Sequence, residues 1–322
     1  LSNYTSSNLR NTGSSLPRTA LTRRSALGLL AGGAAVFAAP FRAGAEADLR
    51  IVSLGGAVTE TLYALGCADA IAGVDLSSVY PPAARSKPNV GYYRRISAEG
   101  VLALSPSVVI AADGSGPKEA VEVLAAASVP LVALKEVRLP EDVAARIRVV
   151  AEAARAAERG AVLADGVAAD LASLAAGTKA ISKRRRTLVL LGNPQGGALM
   201  AGGRDTSAAL ALELAGAENA ASAMSGWKPL VDEAAFGLDP EAIVVLATGA
   251  PIRPETIAAN PAFARSAAVR ENRVLVADAL GLVGFGPRAA HAARAAAAAI
   301  YPERAFPALP VRPWVEPGAT AL

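Results

Sequence analysis

The sequence predicts an α/β fold made of two similar, Rossmann-like lobes joined by one long backbone helix. Three observations lead there. Short apolar strands alternate with helical patterns from Leu49 to Ile300, an order that gives a largely parallel sheet. One helical pattern, residues 161–182, outruns the others and would span about 33 Å. The stretch before that helix is echoed after it. Residues 93–110 align without a gap on 227–244: Tyr93 falls on Trp227, Arg94 on Lys228, Glu99 on Glu233, Leu104 on Leu238 and Pro106 on Pro240. A second echo, Gly66-Cys67-Ala68-Asp69-Ala70 against Gly216-Ala217-Glu218-Asn219-Ala220, has a different offset, so the lobes differ in one loop. Such self-similarity reads as an internal duplication.

The elements follow in order. Residues 49–54 form a strand broken by Gly55-Gly56, and 58–65 a helix stopped by Gly66. Residues 71–74 and 108–111 are strands, and the helix 118–127 leads into the strand 129–134. Pro140 opens a helix with Glu141 and Asp142 in its first turn, where the dipole favours acids; Val143, Ile147 and Val150 mark its buried stripe. After Gly160 comes the long helix, with Leu163, Val167, Leu171 and Leu174 inward; the cationic run 183–186 suits its C-terminal end. The second half has strands at 187–191, 242–247 and 274–277, and helices at 207–215, 254–258 and 287–300. From Pro302 the chain reads as an extended, proline-rich strap.

Composition removes several function classes. One Cys (Cys67) and one His (His291) among 322 residues allow no internal disulfide and no zinc or iron–sulfur site. Cys67, after Gly66, reads as a small core residue and His291 as an ordinary packing histidine. The net charge of +4 comes from residues 1–45, which hold five of the 32 basic residues and no acid; that leaves 27 against 28 acidic ones. A near-neutral body argues against nucleic-acid binding. Residues 1–45 have the layout of an export signal of twin-arginine type: Arg23-Arg24, an apolar run over 26–39, then Ala43-Gly44-Ala45. The apolar run is too short to cross a ~30 Å hydrocarbon layer, so a soluble chain without stable membrane insertion is expected from Glu46. The expected organisation is export signal 1–45, N-terminal lobe 46–160, linking helix 161–183, C-terminal lobe 184–302 and tail 303–322.

Five stretches carry a family resemblance: residues 51–60, Val90-Gly91-Tyr92-Tyr93-Arg94-Arg95 with Ile96-Ser97-Ala98-Glu99-Gly100, residues 113–117, Met200-Ala201-Gly202-Gly203-Arg204, and Gly284-Phe285-Gly286-Pro287-Arg288. With them the chain resembles the helical-backbone class of substrate-binding proteins of ABC importers, and within it the periplasmic haem-binding proteins. The resemblance implies a non-enzymatic monomer in the periplasm. It would capture ferric haem (haem b as transported ligand) between its lobes and deliver it to an inner-membrane permease and its ATPase. A cobalamin or iron–siderophore binder is the alternative within the class. A two-domain α/β enzyme is the alternative outside it, opposed by the lack of a nucleophile–base pair around a single His.

The resemblance also assigns residues. Tyr92, in Gly-Tyr-x-Arg, would be the haem iron ligand and so the metal-binding residue, with Arg94 and Tyr93 in support. A phenol has a pKa of about 10 and must ionise to bind ferric iron, which a neighbouring guanidinium favours. In the second lobe Gly226 replaces the ligand, leaving Trp227 to wall the ligand and Lys228 to pair with a propionate. Glu99 and Glu233, one on each lobe, would dock on the permease. Residues 192–203 hold glycines without a phosphate-loop signature and are read as backbone approaching a flat ligand; Asn193-Pro194-Gln195 stands where some relatives have a His.

Overall fold

In the N-terminal half of the computed structural model, β1 (Ile51–Leu54), α1 (Gly56–Ala64) and β2 (Ile71–Val74) are followed by a two-residue-strand hairpin, β3 (Gly91–Tyr92) and β4 (Arg95–Ile96). Then come α2 (Ala98–Leu102), β5 (Val108–Ala111), α3 (Lys118–Ala126), β6 (Leu131–Ala133) and α4 (Pro140–Ala153). The sheet is parallel throughout, in the order β2-β1-β5-β6. The structure describes residues 49–192, 199–248 and 253–316. The export signal, the 193–195 stretch and most of the glycine-rich loop read from the sequence lie outside these residues.

The long helix α5 (Ala157–Lys179) connects the halves. It starts four residues before the sequence pattern suggested. Gly160 is not a boundary: it sits in the first turn, where a Cβ would lie 2.1 Å from the Ala151 Cβ, so it lets α5 close on α4. The break falls instead at Arg155, in the left-handed region with φ 53°. The cationic run 183–186 lies beyond the helix end, on the way into the next strand.

The second half comprises β7 (Arg186–Leu191), β8 (Met200–Gly202), α6 (Ser207–Leu214), β9 (Glu218–Asn219), β10 (Trp227–Pro229), α7 (Asp232–Leu238), β11 (Ala242–Ala247), α8 (Pro254–Ala258), α9 (Ala267–Arg270), β12 (Val274–Asp278), α10 (Ala279–Val283) and α11 (Ala289–Ile300). Its sheet runs β10-β8-β7-β11-β12, with β7, β11 and β12 parallel and β8 antiparallel to both neighbours. The duplication is visible in place: α2 and α7 begin at Ala98 and Asp232, β5 and β11 at Val108 and Ala242, the same spacing as the sequence echo. Gly66 and Gly216 end equivalent helices with φ of 68° and 70°, the left-handed turn that glycine adopts freely.

One buried cluster runs through both lobes. It joins Val143 and Ile147 of α4, Leu163, Val167, Leu171 and Leu174 of α5, Leu210 and Leu214 of α6, and the alanine face of α11. Each sheet has a smaller cluster on its other face. The tail runs back over this core. Phe306 is buried, Arg312 makes a bidentate pair with Asp170 of α5 at 2.7 and 2.9 Å, and the Tyr80 hydroxyl donates to the Trp314 carbonyl at 3.3 Å. His291 holds the Pro310 carbonyl at 3.1 Å and is part of this strap, while Cys67 is buried in the main cluster.

Candidate functional site

Between the lobes lies a cleft of about 1010 Å³, at the upper end of small-molecule sites. Its walls are the carboxyl ends of the parallel strands and the segments that follow them. From the N-terminal lobe come Gly55, Leu76, Ala112 and Val137, each just past a strand; from the C-terminal lobe come Leu246, Ala247, Val276 and Ala277. The carboxyl ends of strands are where open α/β sheets leave a crevice. Apolar side chains dominate the walls, and the charged ones are the cations Arg85, Arg94 and Arg146 and the acids Asp113, Glu136 and Asp278.

Tyr92, Tyr93 and Arg94 all line this cleft. Tyr92 is 41% exposed, at the mouth. The two rings meet edge-on, with centroids 4.8 Å apart, and the Arg94 guanidinium lies 4.9 Å from the Tyr93 ring centre. Burial lowers the Arg94 pKa, but the neighbouring phenols of Tyr93 and Tyr92 outweigh that effect and raise it on balance. Burial, with the charge of Tyr92, raises the Tyr93 pKa, so Tyr93 stays a neutral phenol at ordinary pH.

The hairpin that carries these residues is pinned from behind. The Tyr93 N–H donates to Asp75 Oδ2 at 3.3 Å, the Gly116 N–H to the Tyr93 carbonyl at 2.9 Å, and the Leu76 N–H to the Gly91 carbonyl at 2.9 Å. Asp75, 1% exposed, also accepts from the Gly55 N–H, the Ser77 N–H and the Ser77 and Ser78 hydroxyls at 2.9–3.0 Å. Gly114 has φ 70°, and a Cβ there would lie 2.2 Å from Arg94 Nη1. A side chain at 114 would displace Arg94 from the Tyr93 ring.

The C-terminal lobe supplies Trp227, which lines the cleft from β10 and packs on Gly202 of β8. Lys228 is exposed and is not among the residues lining the cleft. Successive residues of a strand face opposite ways, so the strand that turns Trp227 inward turns Lys228 away. The structure therefore brings Tyr92, Tyr93, Arg94 and Trp227 together and leaves Lys228 apart. Glu99 is exposed in the first turn of α2, behind Ser97, whose hydroxyl accepts from the Gly100 N–H at 3.1 Å. Glu233 takes the equivalent position in α7.

Two features were not foreseen from the sequence. One is Arg146 of α4, on the cleft wall, with Nη2 donating to the Gly284 carbonyl at 2.6 Å and to the Phe285 carbonyl. A signal existed: 146 falls with 143, 147 and 150 on the buried stripe of its helix. The other is a buried pair across the lobes. Arg288 donates from its backbone to Glu60 Oε1 at 2.9 Å and from Nη2 to Oε2 at 3.0 Å, while Nη1 reaches Asp278 at 3.0 Å. Tyr80 stacks on the same guanidinium at 3.5 Å. Among the described residues no cluster of three His, Cys, Asp or Glu could hold a bare metal ion.

Two lobes on a long helix, with a ligand-sized cleft at their strand ends, define a bilobal substrate-binding architecture. The chain belongs to the periplasmic binding protein family, whose model matches residues 51–279. Among solved structures it is similar to the periplasmic heme-binding protein RhuT from Roseiflexus sp. RS-1 in apo form: 33% identity over 79% of this chain and 98% of that one, TM-score 0.73. A periplasmic heme binding protein from Pseudomonas aeruginosa gives 32% identity, 80% and 95% coverage and TM-score 0.73. The uncharacterized ABC transporter substrate-binding lipoprotein YvrC of Bacillus subtilis is 28% identical over 79% of this chain and 80% of its own length. The vitamin B12-binding protein of Yersinia pestis matches at 34% identity, but over only 27% of this chain and 31% of its own.

Proposed function

We propose that the protein is the extracytoplasmic, periplasmic haem-binding component of an ABC importer. It takes up ferric haem b between its lobes, releases it to the permease and carries out no catalysis itself. The observation that carries this reading is Tyr92 at the mouth of an apolar cleft, its ring against Tyr93 and the Arg94 guanidinium over Tyr93 beside it. Tyrosinate is an established haem-iron ligand type, and a guanidinium beside the oxygen stabilises the anion that ligation requires. Tyr93, its ionisation opposed by burial, supports the ring and leaves ligation to Tyr92. Trp227 forms the facing wall. Lys228 could meet a propionate only at the rim. Glu99 and Glu233, at matching helix positions of the two lobes, are the acids that dock on the permease.

The test is an absorption titration of residues 46–322 with ferric haem beside Tyr92→Ala. Saturable binding with a high-spin tyrosinate spectrum, lost or altered in the variant, is expected. No saturable binding by the unmodified chain would overturn the haem reading, and the same cleft would then be titrated with cobalamin.

A further inference from the structure

Arg146 sits where the two lobes touch. Its helix belongs to the N-terminal lobe, and its Nη2 bonds two carbonyls of the C-terminal lobe, Gly284 and Phe285. These are its hydrogen bonds within the described protein. A guanidinium carries five N–H donors in a fixed fork, so Nε and Nη1 remain for whatever enters the cleft. No carboxylate among the described residues forms an ion pair with it. The acids around it are committed elsewhere: both Glu60 oxygens bond Arg288, Asp278 bonds Arg288 and the start of α10, and Asp142 bonds the Arg138 and Leu139 N–H groups. Burial lowers the Arg146 pKa to about 10, which leaves it cationic at neutral pH. A half-buried cation without an anionic partner is an unfavourable arrangement that a bound anion relieves.

Its surroundings say what kind of anion. Val137, Leu280, Val283 and Phe285 line the same cleft, so the ligand must present an apolar body with a carboxylate at its leading edge. We propose that Arg146 is a carboxylate-binding residue at the inner end of the cleft, and that the ligand enters with its acidic edge first. This inference rests on the haem reading. On that reading the propionate edge of haem meets Arg146, and the iron is held by Tyr92 at the mouth. Arg146 then fixes orientation, and it selects tetrapyrroles bearing free carboxylates over those whose side chains are amides.

The test compares two ligands on three proteins. Ferric protoporphyrin IX and its dimethyl ester, which lacks the carboxylate charges, are titrated against the unmodified chain, Arg146→Met and Arg146→Lys. Loss of a charge-assisted hydrogen bond predicts roughly ten- to a hundredfold weaker binding of the free acid by Arg146→Met. Arg146→Lys should recover part of that loss. The ester should bind the unmodified chain and Arg146→Met alike, with the same tyrosinate spectrum, which also shows that the variant is folded. Equal affinity of Arg146→Met and the unmodified chain for the free acid would overturn the assignment. An equal loss for acid and ester would also overturn it, because that is the mark of a structural strut. Failure of the unmodified chain to bind either porphyrin would refute the haem reading itself and this inference with it.

Discussion

Replacing Arg288 by Met breaks the buried connection between the lobes, and the size of the effect follows from its surroundings. Arg288 and Glu60 are 1% and 2% exposed and share two bonds of 2.9 and 3.0 Å. Removing one partner of such a pair leaves an uncompensated buried charge and costs about 3–5 kcal/mol. At roughly 2 °C per kcal/mol for a chain of this size, that lowers the melting temperature by about 6–10 °C. The loss should depend on pH. Burial raises the Glu60 pKa, and Arg288 counters part of the rise. Without Arg288 the rise is larger. A carboxylate whose folded pKa is raised contributes its stability below the unfolded pKa and loses it as pH climbs through the folded value. Asp278, which raises Glu60 further, acts in the same direction, while Arg146 opposes it. Thermal melts followed by circular dichroism should therefore show a greater deficit for Arg288→Met at pH 8 than at pH 5. The double variant Glu60→Leu/Arg288→Met removes both charges, so it should regain much of the loss and show no extra pH dependence from this pair. A deficit below about 1 kcal/mol, or single effects that simply add in the double variant, would refute the reasoning.

Two further outcomes are expected. Asp75→Ala leaves several donors without their acceptor, among them the Tyr93 N–H. It should cost about 3 kcal/mol in urea unfolding and disturb the tyrosinate spectrum, whereas Asp75→Asn should keep part of both; an unchanged spectrum in the alanine variant would show that the hairpin holds itself. Glu99→Ala with Glu233→Ala should leave haem affinity intact and weaken association with the reconstituted permease by roughly tenfold, mostly through a slower on-rate at low salt; unchanged association would remove these acids from the docking surface.

The main parallel strands and the longer helices were legible because alternation of strands and helices, together with the duplicated Glu and Pro positions, survives an alanine-rich composition; the short β3–β4 hairpin, α2, α7, β8 and β10 were not. The Tyr92–Arg94 stretch was legible through its motif. What the sequence hid is direction. Lys228 follows Trp227 as Arg94 follows Tyr93, yet the N-terminal pair lies on a tight hairpin and the C-terminal pair on a regular edge strand. A hairpin turn can aim consecutive side chains into one cleft, and a regular strand cannot. Arg146 was hidden for another reason. On an exposed helix face a lone arginine is ordinary, and only its register with Val143, Ile147 and Val150 separates it from Arg148, which is exposed and pairs with Asp165.

The loop whose length differs between the lobes accounts for their division of labour. From Gly66 to Tyr93 the chain advances 27 residues, and from Gly216 to Trp227 only 11. The longer segment contains Asp75, Leu76, Ser77, Val79 and Arg85, and it supplies both a wall of the cleft and the carboxylate that seats the tyrosine hairpin. The shorter one has no room for either. Gly226 there has φ 73° and an open surrounding, in a turn that feeds Trp227 onto the edge of the sheet. A second phenol at 226 would have no buried carboxylate to hold its backbone and no Arg94 beside it. Ligation from one lobe alone is therefore built into the loop lengths. The iron on the proposed reading keeps a single protein bond, and opening the lobes during delivery has to break only that bond and the contact at Arg146.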